Sequence, residues 1–391
     1  MQSAIQRLLS DETGRNDQFP VTRDQIFMAH AGVTALPRPA GDALTYFAKR
    51  ATGHRQEDAE IWKLVGDARN SAASLLGCSS GEIALLGPTS LGLNLVANGL
   101  AWRPGDEVVY YPDDYPANVY PWLKLKDSGV RPIELNPEIP GRITWELIEP
   151  LLTNNTRLVS LASCNYLAGY RIDVDGIGRH LRERGILFCV DGIQSIGAFP
   201  FSVDNVDFMS ADSHKWMLGP VGAGLFYVKE SRFDELNPTL LGAWNVVSPD
   251  FVPGREIEFY PGARRYEPGS LNIPGILAMR ASLKMLLEYG ISSMADRILS
   301  IRRKVITVLT ENGYRIYGAM DSVDEKHASG IITFHHPVKD IPPLADLLEK
   351  NGIAVSCRKD RSGLNMIRLS PHFYNTDDEV ERVIDIIADY G

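Results

Sequence analysis

Two apolar runs end in acidic residues that chemistry can use. Leu187-Phe-Cys-Val ends in Asp191, and Phe208-Met-Ser-Ala ends in Asp212, with Ser213, His214 and Lys215 directly behind. Ligands of open α/β sheets bind outside the carboxyl ends of the strands. If these runs are neighbouring parallel strands, Asp191 and Lys215 face one cavity, the first suited to holding a protonated ring nitrogen and the second to forming an imine. That pair suits pyridoxal phosphate, an electron sink only while its pyridine nitrogen stays protonated. A phosphate needs its own cradle. Gly87-Pro88-Thr89-Ser90 opens a helical stretch and offers backbone N–H groups, two hydroxyls and the positive end of a helix. Singly, these features have ordinary readings as a helix cap, a solvated lysine and a second cap. Their order and convergence point to the cofactor.

These residues must be positioned by regular elements, and the chain alternates short apolar runs with helix-length periodic segments. Strands are predicted over 82–86, 107–111, 131–135, 158–162, 187–190, 208–211 and 224–228, with helical stretches such as 173–184 between them. The pattern is that of an α/β fold with a mostly parallel sheet. A Pro- and Gly-punctuated loop over 244–271 carries Trp244, Phe259, Tyr260 and Tyr266 with Arg255, Arg264 and Arg265, and loops of that length tend to be functional. Helices over 273–289 and 292–312, strands over 330–334, 354–357 and 366–369, and a helix over 376–388 make a smaller α+β region. The expected division is an N-terminal segment 1–20, a large cofactor-bearing domain 21–270 and a small C-terminal domain 271–391.

With 391 residues and a net charge of −9, the chain is acidic, which argues against nucleic-acid partners. Cys78, Cys164, Cys189 and Cys357 are scattered without zinc-like or disulfide-like spacing, so a reducing, cytoplasmic setting and no metal are expected. Residues 1–15 lack the apolar core of an export signal. The uncharged run 83–102 is long enough to span a bilayer, but Gly87-Pro88 interrupts it and Asn94 and Asn98 put amides inside it; a strand, a turn and a buried helix are the better reading. Adjacent His335 and His336 point to opposite faces of a strand and make a poor metal site. The run 219–224 precedes a strand, so it is a tight turn and no dinucleotide fingerprint.

The stretches Val190 to Gly197 and Ser213 to Gly224 resemble the cofactor signature of the class V aminotransferase superfamily, pyridoxal-phosphate enzymes of fold type I that include cysteine desulfurases, kynureninases and isopenicillin N epimerases. The likeness runs from the segment 27–37 to the segment 368–376. It implies that Lys215 is the Schiff-base lysine, that Asp191 pairs with the pyridine nitrogen and that Gln194 bonds the ring hydroxyl. It further implies phosphate contacts from Thr89, Ser90, Ser213 and His214, and from Ser270 across the interface of a homodimer. Asn165 and Arg368 match residues near the substrate carboxylate, the guanidinium gripping it two-pronged. His30, in the segment beside the expected substrate site, is placed with them as a substrate-binding residue.

Two departures narrow the chemistry. Tyr115 stands where desulfurases carry a ring-stacking histidine, and Arg361 stands near where their nucleophilic cysteine belongs, Cys357 falling a few residues early. Desulfuration is therefore ranked low. The expected activity is amino transfer between a small α-amino acid and a keto acid, with epimerisation or loss of a Cβ substituent as alternatives and a non-catalytic pyridoxal-phosphate protein as the reading from another class.

Overall fold

Seven strands form the central sheet of the computed structural model, which describes residues 3–390; residues 1, 2 and 391, at the ends of the first and last expected segments, lie outside it. They are β1 (Ile83–Leu86), β2 (Glu107–Tyr110), β3 (Arg131–Glu134), β4 (Thr156–Ala162), β5 (Leu187–Asp191), β6 (Phe208–Asp212) and β7 (Gly224–Val228), in the order β1-β7-β6-β5-β4-β2-β3. All run the same way except β7, which is antiparallel to both its neighbours. Every residue of β1, β2, β5, β6 and β7 is buried, which explains their mostly apolar, non-alternating texture: a sheet covered on both faces has no polar side to alternate with. Strands β5 and β6 pair directly, Asp191 lying opposite Ser210, so the adjacency on which the cofactor reading depends is real.

The chain turns from β6 into β7 through residues 213–223, a hairpin whose tightness is set by glycine. A Cβ at Gly219 would come within 2.3 Å of Ser213 Oγ, and Gly222 has φ 72°. Lys215 is thus held in a short, rigid connection at the carboxyl edge. The uncharged run resolves into β1, a turn and the helix Thr89–Gly99, which packs so closely on β6 that a Cβ at Gly92 would be 2.4 Å from Ser210 Oγ, a distance only a glycine avoids. Among the described residues no helix is long and apolar enough to cross a membrane.

A second, antiparallel sheet contains β8 (Arg315–Ile316), β9 (Ile332–His335), β10 (Ser356–Lys359) and β11 (Asn365–Leu369), in the order β10-β11-β9-β8. The strand expected over 354–357 is in fact two. Ile353–Ala354 pairs in parallel with Ile26–Phe27, and the chain then re-enters the second sheet as β10. The amino-terminal segment is thereby tied to the end of β11, where Ser370 N donates to Met28 O at 2.7 Å. One face of this sheet looks toward the loop that follows β4: Arg368 Nη1 donates to Tyr166 O and Thr333 Oγ1 to Leu167 O. That orientation brings Arg368 over the carboxyl edge of the large sheet.

Candidate active site

Lys215 and Asp191 are nearly closed to water, 7% and 3% exposed, and near enough for each to feel the other's charge. Burial pulls the Lys215 amine down to about 8; Asp191 opposes the shift, while the charges of Arg368 and Arg358 add to it. Burial likewise pushes the Asp191 carboxyl up to about 6, against the Ile193 N–H bond and the charge of Lys215. Lys215 Nζ sits 5.3 Å from the centre of the Tyr115 ring, which packs edge-on against Tyr166.

Tyr115 is held there by a network the sequence reading missed. Asp114 accepts from Tyr115 N at 2.7 Å, Asn118 Nδ2 at 3.1 Å and Ala162 N at 3.2 Å. Asn118 Oδ1 in turn accepts from Trp122 Nε1 and Ser160 Oγ, so the loop is riveted to β4. Burial and the nearby Asp191 raise the Asp114 carboxyl to about 7. The available signal was its position, a carboxylate just past the end of β2, as Asp191 ends β5.

The expected phosphate cradle follows β1, which lies beyond β7 from β6. No side chain caps the helix Thr89–Gly99, whose N-cap is Pro88, so its first N–H groups are left for a ligand. Thr89 Oγ1 accepts from Asp212 N at 2.9 Å, fastening the cradle to the end of β6, and Ser90 follows it half-buried. His214 Nδ1 is 3.1 Å from Asp212 Oδ2 but off the hydrogen-bonding line; it and Asp212 Oδ1 are buried without a hydrogen-bond partner. Ser213 is a correction. Its fully buried hydroxyl donates to Pro220 O at 3.0 Å and closes the hairpin, so it is not available to a phosphate. Ser270 is exposed just before the helix Ile273–Tyr289 and bonds none of these groups.

Arg368 completes the site. It is 1% exposed and donates from Nη1 to Tyr166 O at 2.7 Å, yet its Nε and Nη2 have no partner. Burial, then the charge of Arg358, holds it down at about 9. A buried guanidinium with idle N–H groups has the chemistry to accept a carboxylate. Asn165 accepts from Leu167 N and Ala168 N, shaping the turn that carries Tyr166, and lines a cleft of about 630 Å³ together with Asp114 and Arg361. Gln194 is fixed between Ala31 O and Trp216 Nε1. The idle N–H groups of Arg368, the uncapped helix with His214 nearby and the Lys215–Asp191 pair fit pyridoxal phosphate and a carboxylate substrate.

Residues 26–383 match the family description Aminotransferase class-V. The chain belongs to that family. Pyridoxal phosphate is the cofactor of class-V enzymes. A probable cysteine desulfurase of Methanothermobacter thermautotrophicus is 30% identical over 93% of this chain and 94% of its own length. An uncharacterized aminotransferase, YcbU, of Bacillus subtilis is 28% identical over 95% of each chain. The fold matches that of an apo cysteine desulfurase from Thermococcus onnurineus, with TM-score 0.86, 23% identity and 96% of each chain covered. It also matches a cystine C-S lyase solved with cysteine persulfide, with TM-score 0.84, 20% identity and coverage of 96% of this chain and 100% of that one.

Two further placements bear on this class-V site. His30 is fully buried, with Nδ1 on Ser370 O at 2.8 Å and Nε2 on the Tyr374 hydroxyl at 2.7 Å, and burial drives its pKa well below the ordinary value. Both nitrogens are spent on packing, so His30 does not belong with the substrate-binding residues. Cys357 is exposed on β10, where alternate residues face opposite ways; Ser356 lies opposite Arg368, so Cys357 points away from the site. Its thiol is raised by burial and nearby carboxylates, the reverse of an activated nucleophile. Arg361 bonds Pro112 O at 2.8 Å and Asp113 at 2.6 Å, pinning its loop to the rim of the cleft.

Proposed function

We propose that this class-V enzyme is an aminotransferase for a small α-amino acid, with a 2-oxo acid as acceptor. The observation that carries the reading is Arg368, a buried guanidinium with two idle N–H positions at the same carboxyl edge as Lys215. When bound, the cofactor supplies the electron sink that makes the substrate's α-hydrogen acidic. Asp191 would hold the ring nitrogen, Gln194 and Asn165 the ring hydroxyl and its surroundings, Tyr115 one ring face, and Thr89, Ser90, the helix N-terminus and His214 the phosphate. Arg368 receives the α-carboxylate and so fixes which α-substituent points at Lys215. Lys215 Nζ, at about 8, is neutral often enough near physiological pH to take the α-proton and to return it.

The names of the relatives favour a second reading, cleavage of a Cβ–S bond. A desulfurase using its own thiol needs a cysteine at the site, and Cys357 faces away from it, so the first reading is preferred. The test is to incubate the cofactor-loaded protein with amino acids, cysteine and cystine included, with and without 2-oxo acids. Amino transfer that requires the acceptor supports the proposal; release of sulfide or pyruvate from cysteine or cystine without any amino transfer replaces it by the second reading. No change in cofactor absorbance with any amino acid leaves a non-catalytic binding protein.

The division at residues 20 and 270, a cytoplasmic location and a homodimer are part of the same proposal. Four unpaired cysteines support the location, and an exposed Ser270, free to reach a partner's phosphate, supports the dimer. Sedimentation of the holoenzyme tests the latter.

A further inference from the structure

A second arginine stands beside Arg368. Ser356 is the cross-strand partner of Arg368, so the two share a face of the sheet; Arg358, two residues along β10, shares it too. Diagonal neighbours of this kind are about 7–8 Å apart at the backbone, within reach of long side chains converging on one small ligand. Arg358 is half-buried, its Nη1 donates only to the adjacent Cys357 O, and among the described residues neither it nor Arg368 has a carboxylate within ion-pair distance. Its charge is felt at Lys215, at Arg368 and at the Tyr166 hydroxyl, as well as at the neighbouring Cys357, in keeping with its place on the shared face. The carboxylates that face the corner, Asp191 and Asp212, act on Lys215.

We propose that Arg358 binds a second acidic group, so that the substrate is an α-amino acid with an anionic side chain, its α-carboxylate on Arg368 and its distal acid on Arg358. The inference rests on the reading of Arg368 as the α-carboxylate's partner. Two like charges left unpaired on one face of a sheet repel each other, and a ligand with an acid at each end relieves both. An amide in place of the distal acid leaves Arg358 without its partner, and discrimination of that kind is strong because an unpaired polar group is costly.

The test uses non-reactive acids, so it needs no turnover. Calorimetric titration of the cofactor-loaded protein with glutarate and succinate, against butyrate and propionate, should show the diacids binding about tenfold tighter or more. Arg358→Gln should abolish that preference and leave the monoacids unchanged, while Arg368→Gln should weaken both. Turnover should follow, with glutamate or aspartate preferred to glutamine or asparagine in the native protein and the preference lost in Arg358→Gln. Diacids binding no tighter than monoacids, or Arg358→Gln weakening both equally, overturns this inference and leaves Arg368 as the carboxylate partner. If no acid binds, the reading of Arg368 falls and takes this inference with it.

Discussion

Two buried polar clusters lie close together at the junction of the sheets, and they have opposite bookkeeping. Around His30, the ring nitrogens bond Ser370 O and the Tyr374 hydroxyl, and His372 accepts from Phe373 N and reaches Trp216 O. Around Lys215, Arg368 keeps two N–H positions idle and His214 and Asp212 each keep a buried atom without a partner. Leaving a buried polar group unsatisfied costs roughly 1–3 kcal/mol, so the second cluster is tolerated only if something else fills it. Residue type does not separate the clusters, since both contain histidine and lie beside the same segments of chain. Satisfaction does: the closed cluster has its polar atoms spent on packing, and the open one keeps N–H groups available to a ligand.

The contrast can be broken by substitution. Lys215→Ala should lower kcat by about three orders of magnitude and abolish the covalent cofactor–protein adduct trapped by borohydride; an adduct that persists moves the lysine assignment elsewhere. Arg368→Gln should raise KM for the amino acid about tenfold or more with cofactor absorbance retained, and Arg368→Met should not lower the melting temperature of the apoprotein, because the groups it removes are partly idle. His30→Ala should do the reverse, costing about 2–4 kcal/mol in denaturant unfolding while the cofactor still binds; an unchanged stability would remove His30 from the architecture. A smaller effect comes from pH. The Asp191 carboxyl, at about 6 in the folded chain, becomes neutral below that pH and loses its hold on a protonated ring, so cofactor affinity should fall as pH drops through 6, and the fall should be absent in Asp191→Asn. Because the folded chain binds this proton more tightly than the unfolded one, the same carboxyl lowers apoprotein stability as pH rises from about 4 to 6. Cys357→Ser should leave activity unchanged, and a loss of sulfide release in that variant would restore thiol chemistry to the site.

Most of the large sheet was legible because its strands are apolar runs that stop at Gly, Pro or Asp, and burial on both faces leaves no other reading of them. The placement of Lys215 and Asp191 at one sheet edge was legible for the same reason, since one follows a strand end and the other closes the neighbouring strand. What escaped was settled by contacts distant in sequence or by one tight turn. His30 is buried by Ser370 and Tyr374, more than three hundred residues away, and nothing near it announces that. The Ser213 hydroxyl goes to Pro220 because the hairpin closes at Gly219, a matter of backbone shape. Asp114 reads as one of two adjacent aspartates until Ala162 and Asn118 are seen to bond it.

The pairing of β10 with β11 carries a consequence for how such an enzyme changes trade. Successive residues on a strand face opposite sides, so inserting one residue ahead of Ser356 would turn Cys357 toward the site and Arg358 out to solvent. Sulfur handling and acid recognition are then alternative settings of the same strand, one residue apart.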